Sequence, residues 1–89
     1  MTDIATTLKE RGTRYGAFID NAAVAQSIKY ALRGGAAWDL MTVDQREALE
    51  MIAAKMSRIV TGDPHYADNW HDIVGYARLV EDRLNGHQT

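Results

Sequence analysis

A single proline, Pro64, interrupts the longest run of helical periodicity in the chain, "VDQREALEMIAAKMSRIVTGDPHYADNWHDIVGYARLVEDRL". Proline lacks the amide hydrogen a helix needs, and its ring collides with the preceding turn, so one continuous helix is excluded. The run must be two helices. The first is expected over 43–62. Thr42 and Gln45 have capping-box spacing, Leu49, Ile52, Met56, Ile59 and Val60 recur at helical steps, and Gly62 is read as the cap. The second is expected over 68–85. Asp68 would serve as N-cap, Trp70, Ile73, Val74, Ala77, Val80 and Leu84 would form the apolar stripe, and Asn85-Gly86 would close it. A connection of about five residues makes the two antiparallel neighbours.

The N-terminal half is also helical in pattern. Residues 17–33 carry Val24, Ile28, Ala31 and Leu32 on one stripe, extended by Phe18 and Ala25, and Gly34-Gly35 suits a left-handed C-terminal cap. Asp3 to Arg11 reads as a short helix with Ile4 and Leu8 on one side. Gly12 is expected to interrupt it, and "GTRYG" to connect it onward. "AAWDLM" links to the hairpin, with Trp38 expected to plug the core. There is no hairpin signal for strands and no internal repeat. The fold class is therefore all-α: one domain, 1–89, a small bundle in which the helix hairpin packs on the helix at 17–33.

Composition narrows the setting. With 46% hydrophobic and 25% charged residues the chain is globular. It has 89 residues and no cysteine, so neither disulfides nor thiolate metal sites can reinforce it, and self-association is expected to complete the burial of apolar surface. A formal charge of −2 argues against a general nucleic-acid binder. No apolar run reaches the roughly 18 residues of a membrane span, and "MTDIATTLKE" lacks a signal-peptide layout, so a cytoplasmic protein is expected.

Two groups of side chains carry candidate chemistry. At about 100° per residue, Glu47 and Glu50 fall about 60° apart on the side of their helix away from the apolar stripe. Asp68 and Asp72 share a second face of the last helix with Gly75 and Leu79, flanked by Tyr76, and the apolar residues there imply that this face is covered. Carboxylates from two helices suit Mg²⁺, a hard cation that takes oxygen ligands and keeps waters and substrate phosphates. The competing structural reading is ordinary ion pairing: Glu47 and Glu50 with Arg46, Lys55 or Arg58, and Asp72 with Lys55, Arg58, Arg11 or Arg14. His65 and His71 match no zinc spacing, and His87 lies near the end of the chain.

The second group is cationic and aromatic: Arg11, Arg14, Tyr15, Lys29, Tyr30 and Arg33. Guanidinium groups match phosphate bidentately, and tyrosine offers a stacking face to a base, so a nucleotide or similar anion is the ligand class. The alternative is that Tyr15 fills a corner of the core while the cations solvate a helical surface. No Walker loop, dinucleotide fingerprint or Ser-His-Asp arrangement is present.

"RYGAF", "QREALEMIAAKMSRIVTGDP" and "DNWHDIVGYARL" resemble a family of small phage and prophage proteins of unassigned function, over roughly Arg14 to Leu84. The most specific part is Lys55, Arg58, Asp68, Trp70, Asp72, Gly75 and Tyr76. That family is in turn similar to MazG-like nucleotide pyrophosphohydrolases, oligomeric all-α enzymes that hold Mg²⁺ with acidic pairs on successive helices. By position the resemblance places Glu47 and Glu50 at the first acidic pair and Asp72 at the end of the second, with Asp68 as a nearby substitute. The chain departs from the pattern at Asn69, where the enzymes carry a carboxylate.

Three function classes follow. The first is Mg²⁺-dependent hydrolysis of a nucleoside triphosphate, with Lys55 or Arg58 stabilising developing charge. The second is a non-catalytic binder of nucleotides or cyclic signalling nucleotides, a sponge acting against host defence, with Arg11, Arg14, Tyr15, Lys29, Lys55, Arg58 and Tyr76 as ligand contacts. The third is a helical inhibitor docking on a host protein through a surface marked by Met41 or Met51.

Overall fold

A computed structural model describes residues 3–87. It contains four α-helices, α1 Ile4–Tyr15, α2 Phe18–Arg33, α3 Val43–Thr61 and α4 Ala67–Leu84, with one 3₁₀ turn at Trp38–Leu40 and no strand among the described residues. Helix α3 is the centre of the molecule. It packs most extensively on α4 and next on α2, and α1 lies against α3 and α2. The molecule is elongated, 42 × 29 × 24 Å.

The hairpin forms within a residue of its expected bounds. The capping box at Thr42 is present, with Gln45 Oε1 accepting the Thr42 amide hydrogen at 2.9 Å. Arg83 near the end of α4 binds Asp44 in the first turn of α3, and its Nη2 donates to the Thr42 hydroxyl at 2.9 Å. The open end of the hairpin is therefore clamped.

Several local expectations are corrected. Gly12 does not interrupt α1, which continues through it to Tyr15. A single exposed glycine costs a helix only about 1 kcal/mol, too little to end it when the helix has a packing partner further on. Gly34 is not a left-handed cap, since its φ is −80°. Helix α4 begins with Ala67, so Asp68 lies inside the first turn and Tyr66 is the N-cap. Asp63 organises the turn instead, its Oδ1 accepting the His65 amide at 2.9 Å. Trp70 is not a core residue. It is 53% exposed and braces the loop, its indole N–H donating to the Pro64 carbonyl at 3.0 Å. Trp38 is only half-buried and stacks with Arg46 at 5.7 Å.

The core is narrow and built from small residues. Ala25, Ala48, Ala53 and Ile59 are the buried apolar residues, joined by Ser57 and Asn69. Alanines let the helix axes approach closely. They also leave larger neighbours outside: of the stripe expected on α3, Ile59 is buried, but Met56 and Val60 are exposed. That stripe lies between the two flanks of α3 that do the packing. The buried Asn69 Nδ2 has no hydrogen-bond partner among the described residues.

A candidate anion-binding cleft at the helix crossing

The C-terminal ends of α1 and α3 cross with their backbones in direct contact, and two glycines make this possible. A side-chain carbon on Gly62 would sit 2.2 Å from the Arg14 carbonyl oxygen, and one on Gly16 would sit 2.0 Å from that of Thr61. Gly16 also has a φ of +82°, a left-handed conformation that other residues rarely adopt. The crossing is fastened by polar bonds. The Asp63 amide donates to the Arg14 carbonyl at 2.7 Å. The Thr61 hydroxyl lies 2.7 Å from the Tyr15 carbonyl and 2.8 Å from that of Ser57, sharing its one proton between them.

This crossing gathers side chains that are far apart in sequence. The Tyr15 ring has the Arg11 guanidinium 5.3 Å from its centroid and the Arg58 guanidinium 4.7 Å from it. Tyr66 meets Tyr15 edge-on at 6.2 Å, and Arg14 stands 5.1 Å over the Tyr66 ring. Each cation–π contact contributes about 0.5–1 kcal/mol at an exposed site. The ring faces hold the guanidinium groups in place without neutralising them. Among the described residues, no carboxylate lies within ion-pair distance of Arg11, Arg14 or Arg58.

Between α1 and the start of α2 lies a cleft of about 370 Å³, lined by Leu8, Arg11, Tyr15, Phe18, Asn21 and Arg58. Phe18, at its mouth, is 84% exposed. Asn21 anchors the floor, its Oδ1 lying 3.1 Å from the hydroxyl of the fully buried Ser57. Two cations, an exposed aromatic face and an amide in one small cleft can hold a phosphate-bearing ligand with an apolar or aromatic body.

Of the cationic and aromatic candidates read from the sequence, the structure thus brings together Arg11, Tyr15 and Arg58, with Arg14 on the adjoining ring. Lys29 is half-buried on α2 and does not line the cleft, and Lys55 pairs with Asp72 at 3.0 Å. Tyr76 lies on another surface, in a shallow groove along α4 with Asp72, Gly75 and Leu79. The covering expected over that face is not provided by this chain, since Leu79 and Gly75 are exposed. Sequence reading missed Phe18 and Asn21 as members of the cleft, and Tyr66 as the ring packed against Tyr15 beside it. Phe18 follows the Gly16 turn closely, and it and Tyr15 line the same cleft.

The acidic candidates are placed otherwise. Glu47 is exposed, and Glu50 accepts from Arg33 Nη2 at 2.9 Å. Asp72 is held by Lys55, one of its expected partners, and Asp68 accepts from the Tyr66 hydroxyl at 3.0 Å. That hydrogen bond, more than burial, raises the Tyr66 hydroxyl above the usual tyrosine range. Among the described residues no three His, Asp or Glu side chains converge as a metal would require.

Fold and cleft together define a small all-α protein with an uncompensated arginine–tyrosine site at a helix crossing. A family model described as a domain of unknown function (DUF6378) matches residues 3–84, and the chain belongs to that family. No curated protein and no solved structure matches it. No described helix is long and apolar enough to cross a membrane.

Proposed function

We propose that this protein binds a nucleotide or a related signalling nucleotide in the cleft beside Tyr15. Arg11 and Arg58, held on the Tyr15 ring, take the phosphate oxygens, Phe18 receives the base, and Asn21 offers a polar contact. The observation that carries this reading is the convergence of Arg11 and Arg58 on one ring with no carboxylate to neutralise either. An anion gains most where positive charge is already assembled and unpaired. The reading requires no metal. In a phage setting such a binder would withdraw a nucleotide signal from the host, and self-association of the chain forms part of the same proposal.

The test is calorimetric titration with nucleoside mono-, di- and triphosphates and cyclic dinucleotides, in EDTA and again with Mg²⁺. Binding in EDTA is expected for at least one of them, weakened roughly tenfold or more in Arg58→Gln, with an unchanged far-UV spectrum. Absence of binding across the panel overturns the reading. Release of pyrophosphate from a triphosphate with Mg²⁺ would instead move the protein to the hydrolase alternative.

A further inference from the structure

The cleft beside Tyr15 is rich in hydrogen-bond donors and poor in acceptors. Arg11 and Arg58 line it with guanidinium groups, which only donate and stay charged at any ordinary pH. Asn21 turns its Oδ1 toward the buried Ser57 hydroxyl, 3.1 Å away, which leaves Nδ2 as the free polar atom of its amide. The backbone carbonyls of three lining residues are already engaged. That of Gly12 accepts from the Gly16 amide at 2.9 Å, and that of Tyr15 from the Thr61 hydroxyl at 2.7 Å. That of Ala17 accepts from the amides of Asp20 at 3.1 Å and Asn21 at 3.0 Å.

The start of α2 adds to this. Its N-cap is Ala17, whose methyl group cannot accept a hydrogen bond, and no side chain caps the helix there. The amides of Phe18 and Ile19 find no acceptor among the described residues. Gly16, Ala17 and Phe18 line the cleft, so the positive end of the helix dipole lies beside the two arginines. Asp20, the acidic residue of that turn, does not line the cleft. The helix end reinforces the charge that Arg11 and Arg58 supply and does not replace it.

A site of this composition discriminates by the charge and the acceptors its ligand brings. A phosphate monoester near neutral pH carries about two negative charges and three terminal oxygens that accept. A phosphodiester carries a single charge and one terminal oxygen fewer. Two uncompensated guanidinium groups match the monoester in charge, and its extra oxygen gives the Asn21 amide or the start of α2 an acceptor that a diester lacks. We infer that the cleft selects a terminal phosphate: its ligand is a nucleotide that ends in a phosphate monoester, held between Arg11 and Arg58 at the start of α2 with its base on Phe18. The inference rests on the nucleotide reading of the cleft and narrows it. Signalling nucleotides whose phosphates are all diesters, the cyclic ones among them, fall outside the class.

Calorimetric titration of the full chain in EDTA with matched pairs tests it. The pairs are adenosine monophosphate against its cyclic form, guanosine monophosphate against its cyclic form, and linear diadenylate with a terminal phosphate against cyclic diadenylate. Within a pair that binds, the member with the terminal phosphate is expected to bind at least about tenfold more tightly. Most of that advantage is expected to be lost in Arg11→Gln and in Arg58→Gln, each with an unchanged far-UV spectrum. Diesters that bind as tightly as monoesters overturn the inference and leave the nucleotide reading standing. An advantage that survives in full in both variants overturns it by placing the phosphate elsewhere. Binding by no member of any pair overturns the nucleotide reading, and this inference with it.

Discussion

At the scale of single residues, glycines do opposite things in this chain. Gly62 is required by a close approach, and Gly75 and Gly12 by nothing within 4 Å. Gly62→Ala is therefore expected to cost about 3 kcal/mol or more, since the clash is with backbone and cannot be relieved by a side-chain rotation. Gly75→Ala, in the middle of α4, is expected to stabilise by roughly 0.5–1 kcal/mol through helix propensity. Thermal unfolding of the two variants checks both signs. In the sequence the three glycines look alike. Gly62 can be read there as a helix terminus, and it is one, but its greater role depends on Arg14 and Tyr15, which are distant in the chain. For the same reason Arg58 could be named as a cation but not placed against Tyr15, and Tyr66 could not be connected to that ring at all.

At the scale of elements, the hairpin was legible because its signals are local. The proline, the capping box and the helical spacing each act within a few residues. The bounds of α2, α3 and α4 follow the sequence closely. The bounds of α1 do not, because that helix is held at its far end by the crossing rather than by any signal of its own. The acidic faces were legible as positions, and of their partners only Lys55 for Asp72 was among those expected. Arg33 takes up Glu50 and the Tyr66 hydroxyl takes up Asp68, and periodicity cannot foretell which donor reaches which carboxylate. The clamp between α3 and α4 makes a testable statement about pH. Hydrogen bonds from Arg83, and then from Thr42, hold the Asp44 carboxyl below its usual value of 3.8. A carboxyl with a lowered folded pKa stabilises above its unfolded value and loses that contribution as pH falls through the folded one. The thermal midpoint is thus expected to drop below about pH 4, and less steeply in Asp44→Ala. An identical acid profile in the variant would remove the clamp from the account.

At the scale of the whole molecule, the small-residue core and the exposed apolar face are two sides of one choice. Alanines at the helix contacts flatten the layer, and a flat layer cannot wrap its own large side chains. If two such layers join, stability depends on concentration. The thermal midpoint is expected to rise by about 5–10 °C over a hundredfold increase in protein, given the unfolding enthalpy usual for this size. A midpoint independent of concentration would contradict the pairing. Ligand affinity is expected to fall with added salt, because the attraction in the cleft is between charges that water reaches. Fold class and the hairpin were thus readable from the chain, whereas the shape that leaves one face open was not. It follows from residue size at a few contact positions.

Helix α1 buries none of its residues. It is moored chiefly where it crosses α3 and by the stack around Tyr15. Such a segment opens at little cost, and its amides should exchange with deuterium well before those of α3. A ligand gripping Arg11 on one helix and Arg58 on the other would act as a rivet between them. Occupancy would then be written in the exchange rate of residues 4–15, a signal that can be read before the ligand itself has been identified.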